Sequence, residues 1–94
     1  MSDRSSIDAE AQRRILNRLR RARGQLDAVI ASVESEAPCR DVVTQLAAVT
    51  HALRRAGFLI VATAMEDCVA EPDVTKNRAG MTAEELEKVF LTLA

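Results

Sequence analysis

Aromatic side chains are almost missing from this chain, which has two Phe, no Trp and no Tyr among 94 residues. Too few rings remain for a base-stacking platform, so single-stranded nucleic acid is not an expected ligand. Three Gly and two Pro, with hardly any alternating β-branched or aromatic runs, exclude a β-sandwich or barrel and leave an all-α fold. One His is too few for an imidazole-rich metal site. Two Cys do not make a disulfide framework, and in a reducing compartment they read as ligands or redox thiols. No apolar segment follows Met1-Ser2-Asp3-Arg4, and no run approaches the roughly 18 uncharged apolar residues of a membrane span. A cytosolic protein with no membrane partner is expected.

What the chain has in quantity is small and charged residues. Alanine contributes 16 positions to a hydrophobic share of 48%, beside 29% charged residues. That balance is globular rather than disordered, but the core it makes is thin. A domain this small buries only about 60% of its unfolded surface. A single domain spanning residues 1–94 is therefore expected to complete its core by association with copies of itself, and it has no room for a catalytic domain around a substrate pocket. Net charge is only −1 but unevenly spread: residues 1–55 hold ten Arg against seven acids, and residues 56–94 hold three basic residues against seven acids. Between Arg13 and Arg23, six of eleven residues are Arg. A nearly neutral chain can thus present a basic face to a polyanion.

Ile15, Leu19, Ala22, Leu26, Val29 with Ile30, and Val33 recur at steps of three and four, which predicts a first helix over about 8–35. Pro38 suits the first position of a second helix, because its missing N–H is one the helix leaves unpaired anyway. Val42, Leu46, Val49, Leu53, Ala56 and Ile60 carry that helix on, and nothing stops it before Pro72, giving 38–70. Gly57 beside Ala56 costs about 1 kcal/mol of helix propensity and reads as a close helix–helix crossing. Residues 71–81 read as a polar linker. Thr82 with Glu85 forms a capping-box pattern, and Leu86, Val89, Phe90 and Leu93 give a third helix over 82–93 its apolar side.

The cysteines carry the chemistry. Cys39 and Cys68 are 29 residues apart, so on a continuous helix they share a face to within roughly 20° while standing about 44 Å apart. They cannot meet within one chain. Two such helices packed antiparallel across a dimer would pair Cys39 of one chain with Cys68 of the other, twice by symmetry. Cys39, expected at the second helical position, faces unpaired backbone N–H groups that favour a thiolate, which makes it the more nucleophilic thiol. The plainer alternative is two small buried hydrophobes. Met65, one turn before Cys68, offers a thioether or simply fills the core.

These residues carry a resemblance. Arg18-Leu19-Arg20-Arg21-Ala22-Arg23-Gly24-Gln25-Leu26, Cys39-Arg40-Asp41-Val42-Val43-Thr44-Gln45-Leu46-Ala47-Ala48-Val49, Ala52-Leu53 and Cys68-Val69 resemble, in order and without gaps over about 13–70, the framework of the CsoR/RcnR family of bacterial repressors. The resemblance implies a three-helix protomer, an antiparallel dimer with a four-helix-bundle core, and a flat tetramer that is a dimer of dimers. It further implies binding to double-stranded operator DNA without a helix-turn-helix, relieved when a small inducer reacts at the intersubunit cysteines. By position, Arg18 and Arg55 correspond to arginines implicated in DNA contact, Gln45 is their neighbour in the framework, and Arg14 and Arg21 of the arginine run join them.

Departures from the pattern bear on the branch. Copper-sensing members carry a His 25 residues after the first Cys and four before the second, and position 64 of this chain is Ala. Nickel and cobalt sensors need more His than His51 alone supplies. The formaldehyde-responsive branch uses an N-terminal Pro, where Ser2 follows Met1. A Cys pair without the His resembles the CstR-like branch, in which persulfides modify the thiols. The expected function is therefore a cytosolic homotetrameric DNA-binding repressor released by persulfide or polysulfide at Cys39 and Cys68. No cofactor is obligatory. The alternative is a Cu(I)-sensing repressor with an atypical site, since two soft thiolates bind Cu(I) without imidazole. A thiol-based sulfur carrier or redox enzyme is disfavoured, because no general acid or base accompanies the thiols. A helical scaffold binding only protein sits poorly with the arginine cluster. Glu84 resembles the acid that orients the His of copper sensors; His51, one turn from Arg55, reads as an exposed polar residue.

Overall fold

The computed structural model describes residues 3–94, with side chains from Ala9 onward; Ser2 lies outside the described residues. It contains three helices, α1 (Asp3–Glu34), α2 (Cys39–Ala70) and α3 (Ala83–Leu93), and no strand among the described residues. The all-α expectation and the number of helices hold. All three starts move, and α1 ends one residue early, at Glu34. Helix α1 begins at Asp3 rather than near 8, over a polar stretch with no apolar period to announce it. Helix α2 begins at Cys39, because the Pro38 carbonyl already accepts the Val42 N–H at 3.2 Å and so makes Pro38 the cap rather than the first helical residue. Thr82 caps α3 from outside it.

The chain divides into two compact units, Met1–Ala56 and Gly57–Ala94. In the first, α1 and the leading part of α2 form an antiparallel hairpin. Helix α1 ends in a Schellman motif: Ala37 N–H reaches Ser32 O at 2.9 Å, and Glu36 N–H reaches Val33 O at 3.1 Å. Glu36 takes the left-handed conformation this motif needs, with φ 59°. Ser32 Oγ donates to Gln45 Oε1 at 2.7 Å, which sets the register and brings Val29 level with Val49 and Ala22 level with Ala56. Those four residues are buried.

The seam so defined is narrower than the stripes read from the sequence. Between residues 22 and 56 its buried residues are seven apart on each helix, Ala22 with Val29 and Val49 with Ala56. A step of +1 or +4 from them turns to one side of the seam, and −1 or −4 to the other. Because the helices run in opposite directions and their seams face each other, the +1 and +4 steps lead to the same side of the hairpin on both. On that side lie Leu26, Ile30 and Val33 of α1 with Val43, Leu46 and Leu53 of α2, exposed between 42% for Leu26 and 62% for Val43. Small or amide side chains (Gln25, Ser32, Gln45, Ala52) close the other edge of the seam and are half-buried. The larger apolar side chains are left on an open face.

In the second unit, α3 packs on the trailing part of α2. Phe58 and Phe90 lie 5.3 Å apart, tilted by 37°, and Leu86 is buried. Gly57 faces α3 at close quarters: a Cβ built on it would lie 3.0 Å from Leu93 Cδ1 and 3.1 Å from Cδ2. The crossing expected at this glycine is present. Thr82 Oγ1 accepts the Glu85 N–H at 3.1 Å while Glu85 Oε1 accepts the Thr82 N–H at 2.8 Å, the reciprocal pair of a capping box. Although its uncharged runs are as short as expected, α2 holds an 18-residue window apolar enough to cross a membrane by length and composition alone. Only 17% of that window is buried, so its apolar surface is largely uncovered in a single chain.

Candidate functional site

The hairpin separates the candidate nucleic-acid residues from its apolar face. Relative to the seam, Arg21 is at −1 and Arg18 at −4 from Ala22, Arg14 is at −1 from Ile15, Arg55 is at −1 from Ala56 and Gln45 is at −4 from Val49. All five therefore fall on one side of the first unit, away from the apolar face. The Ser32–Gln45 hydrogen bond lies on that same side, as the step rule requires. The four arginines are exposed. Phosphate contacts need what this arrangement supplies, several guanidinium groups held along one face of two rigid helices. His51 belongs elsewhere: it borders a shallow hollow of about 430 Å³ with Val43, Leu46, Ala47, Thr50 and Arg54.

The two thiols have unlike surroundings. Cys39 is the first residue of α2 and exposed. It stands three residues before Val42, a seven-residue step from Leu46 and fourteen from Leu53, so it belongs to the apolar face of the hairpin. Placement one residue earlier in the helix than expected keeps it in the first turn, where backbone N–H groups lack helical partners. Cys68 is two residues from the end of α2 and buried, 6% exposed. Its Sγ donates to the Met81 carbonyl at 3.0 Å.

That carbonyl belongs to the segment read from the sequence as a polar linker, and the segment is ordered by its own side chains. Asp73 accepts from the Thr75 hydroxyl at 2.8 Å and the Thr75 N–H at 3.0 Å. The Thr75 hydroxyl, and after it the Thr75 N–H, hold the exposed Asp73 carboxyl below the usual carboxylate range. Asn77, the buried polar residue of the segment, is 8% exposed. Its Oδ1 accepts the Gly80 N–H at 2.7 Å, and its Nδ2 faces the carbonyls of Glu71 at 3.2 Å and Met81 at 3.4 Å, with Cys68 Sγ at 4.0 Å. Sequence reasoning passed over Asn77; an Asx turn at Asp73 followed by Asn-x-x-Gly was the available signal.

Met65 and Glu84 line a second hollow of about 430 Å³ with Phe58, Val61, Leu86, Glu87 and Phe90. Among the described residues no group of three or more His, Cys, Asp or Glu is placed to hold a metal ion. Position 64 is a half-buried Ala one turn before Cys68. The soft donors this chain offers a metal are the two free thiols, Cys39 and Cys68.

Residues 11–92 match the family described as metal-sensitive transcriptional repressor. The copper-sensing transcriptional repressor CsoR of Mycobacterium ulcerans is 44% identical over 59 residues, 63% of this chain and 50% of that protein. Proteins of the same name from Mycobacterium bovis and Mycobacterium tuberculosis are 40% identical over 57 residues, 61% of this chain and 48% of theirs. The chain spans about half the length of these curated relatives. No solved structure matches it. The matched span covers most of the chain, and the chain belongs to the metal-sensitive transcriptional repressor family, a family of regulators rather than enzymes.

Proposed function

We propose that the chain is a repressor of transcription that binds duplex operator DNA as an assembly of identical subunits and releases it when a thiol-directed inducer engages Cys39 of one subunit and Cys68 of its partner. The observation that carries this reading is the division of the hairpin into two faces, arginines and Gln45 on one, exposed apolar residues with Cys39 on the other. A second copy is the occupant that fits the apolar face. Leu26, Ile30, Val33, Val43, Leu46 and Leu53 would be covered by the same residues of a two-fold-related hairpin, making four helices around one core. In that arrangement Cys39 lies at the rim of the interface, where a thiol of the neighbouring subunit can reach it.

Cu(I) is the inducer better supported by the relatives, which are named copper-sensing repressors. This reverses the order expected from sequence, which placed reactive sulfur ahead of copper. Cys39 and Cys68 would hold the ion as two soft thiolates. Cu(I) would supply a charge and a bond across the interface that the apo assembly lacks. Reactive sulfur stays as the second reading because of one residue: Ala64 removes the imidazole that a three-donor copper site uses. In that chemistry the Cys39 thiolate attacks the outer sulfur of an organic persulfide, whose thiolate leaves, and the Cys68 thiolate then attacks the inner sulfur of the Cys39 persulfide, expelling hydrosulfide and leaving a disulfide.

The test is intact-mass spectrometry and DNA-binding anisotropy on reduced protein exposed separately to anaerobic Cu(I) and to an organic persulfide. Release of DNA with bound copper and no covalent change supports the copper reading. Release by persulfide alone, with a mass change from sulfur addition or thiol oxidation, replaces it with the sulfur reading. Absence of duplex binding by the reduced protein would overturn both.

A further inference from the structure

We infer that Asn77 is a positioning residue for Cys68: its amide closes the 71–81 segment over the thiol and keeps that cysteine out of reach until the contact with Met81 opens. The inference deepens the proposed function, since it takes Cys68 to be one of the sensing thiols. Glu71 and Met81 are the two ends of the segment, and the Asn77 Nδ2 faces the carbonyls of both while its Oδ1 takes the Gly80 N–H. A single buried amide therefore ties the ends of the segment together and shapes its final turn. Gly80 allows that turn by adopting φ 63°, which a side chain would strain.

Cys68 is fastened to the same point. Its Sγ–H meets the Met81 carbonyl at 3.0 Å, so one backbone oxygen is shared by the thiol and the clasp. Anything that bonds to this sulfur must take space now held by Met81 and the Asn77 amide. Cys39 is exposed and meets no such barrier. The two thiols are thereby ordered: Cys39 is engaged first, and Cys68 follows when the segment opens. Met81 also directly precedes Thr82, the cap of α3. Opening at Cys68 pulls on the capping box, so the state of this cysteine is passed to the start of α3.

The test uses the reduced full chain with neither DNA nor inducer. Each cysteine's rate of alkylation by iodoacetamide is read by peptide mass spectrometry. In the unaltered protein Cys68 should react about tenfold or more slowly than Cys39, the mark of a thiol reached only through local opening. Asn77→Ala should raise the Cys68 rate about tenfold and leave Cys39 unchanged. Leu86→Ala is the comparison, because it weakens α3 packing in the same unit without touching the amide. Equal acceleration of Cys68 by Leu86→Ala at the same loss of Tm would overturn the inference. A second measurement needs no variant: hydrogen exchange of the Gly80 N–H should be slowed by the same closure that protects Cys68. Free exchange at Gly80 with Cys68 still protected would also overturn it. A repressor that ignores every thiol-directed inducer would refute the proposed function while leaving these rates as they are.

Discussion

Ser32 and Gln45, thirteen residues apart, are joined by a 2.7 Å hydrogen bond across the antiparallel hairpin, on the side of the seam that also carries Arg14, Arg18, Arg21 and Arg55. The bond pins the rotation of α1 against α2 and with it the spacing of the guanidinium groups. Arg18→Ala or Arg55→Ala should weaken operator binding and lower the magnitude of the salt-dependence slope by about 0.9 for each lost phosphate contact, with the assembly intact. Arg23 is one step past Ala22 and so lies on the opposite side; Arg23→Ala should leave that slope almost unchanged. Anisotropy titrations across a salt series measure all three. Wild-type slopes in both the Arg18 and Arg55 variants would remove this face from the DNA.

The opposite side makes an independent prediction about assembly. Leu46 and Leu53 are each 48% exposed in the single chain, an exposure that burial against a second hairpin would relieve at about 25 cal/mol per Å². Leu46→Glu would place an unpaired charge in that interface. Sedimentation velocity should show the variant shifted to smaller species at concentrations where the unaltered protein stays assembled. An unchanged sedimentation coefficient would mean that this face is not where copies meet.

Glu36 holds φ 59° at the Schellman position where Gly is usual. A side chain pays a conformational penalty there. Glu36→Gly should therefore raise stability by roughly 0.5–1 kcal/mol, provided the relief of left-handed strain exceeds the extra freedom Gly gives the unfolded chain. Denaturant unfolding with an unchanged m-value is the appropriate measurement. Destabilisation would show that the Glu36 side chain contributes more than its backbone costs.

Much of this architecture was legible beforehand because it depends on local signals. Helical periodicity and the Thr82–Glu85 box each act within a few residues, and Gly57, though its contact is with distant Leu93, is marked by a single residue type; each is present. The seam was less legible, because Leu26, Val33, Leu46 and Leu53 have the same spacing whether they fill the hairpin's own core or await another chain. Tight approach selected small and amide residues for the seam, and bulk went to the open face. The Cys68 clasp was hidden for another reason: its strongest contacts are made by backbone carbonyls and one amide within a segment whose composition looks like solvent-exposed loop.

Gly57 and Leu93 offer a paired test of the second unit. Alanine at 57 would gain about 1 kcal/mol of helix propensity but would set its Cβ 3.0 Å from Leu93 Cδ1, at the movable end of a half-buried side chain. Gly57→Ala should be nearly neutral as Leu93 shifts. Gly57→Leu cannot be accommodated so easily and should loosen α3, which at 11 residues is too short to persist undocked. Hydrogen exchange across residues 83–93 should rise sharply in that variant and recover in part when Leu93→Ala is added. Lack of recovery would show that the clash lies elsewhere.

Ala64 decides most directly between the two inducers. It stands one helical turn before Cys68, so an imidazole there would lie beside that sulfur and add the nitrogen donor the two thiolates lack. Ala64→His should tighten Cu(I) binding, measured by competition with a Cu(I) chelator, because a third donor replaces nothing but an apolar methyl. Persulfide chemistry needs only a reactive thiolate at Cys39 and a resolving thiol within disulfide reach, so the same variant should leave its rate of persulfide-driven release unchanged. Cys39→Ser should abolish the persulfide response and weaken the Cu(I) site. Cys68→Ser separates them again: under persulfide it should leave an unresolved sulfur adduct on Cys39, visible by mass, whereas under Cu(I) it should simply weaken the site. If Ala64→His left Cu(I) affinity unchanged, the histidine-deficient copper site would be the wrong description, and sulfur would regain first place.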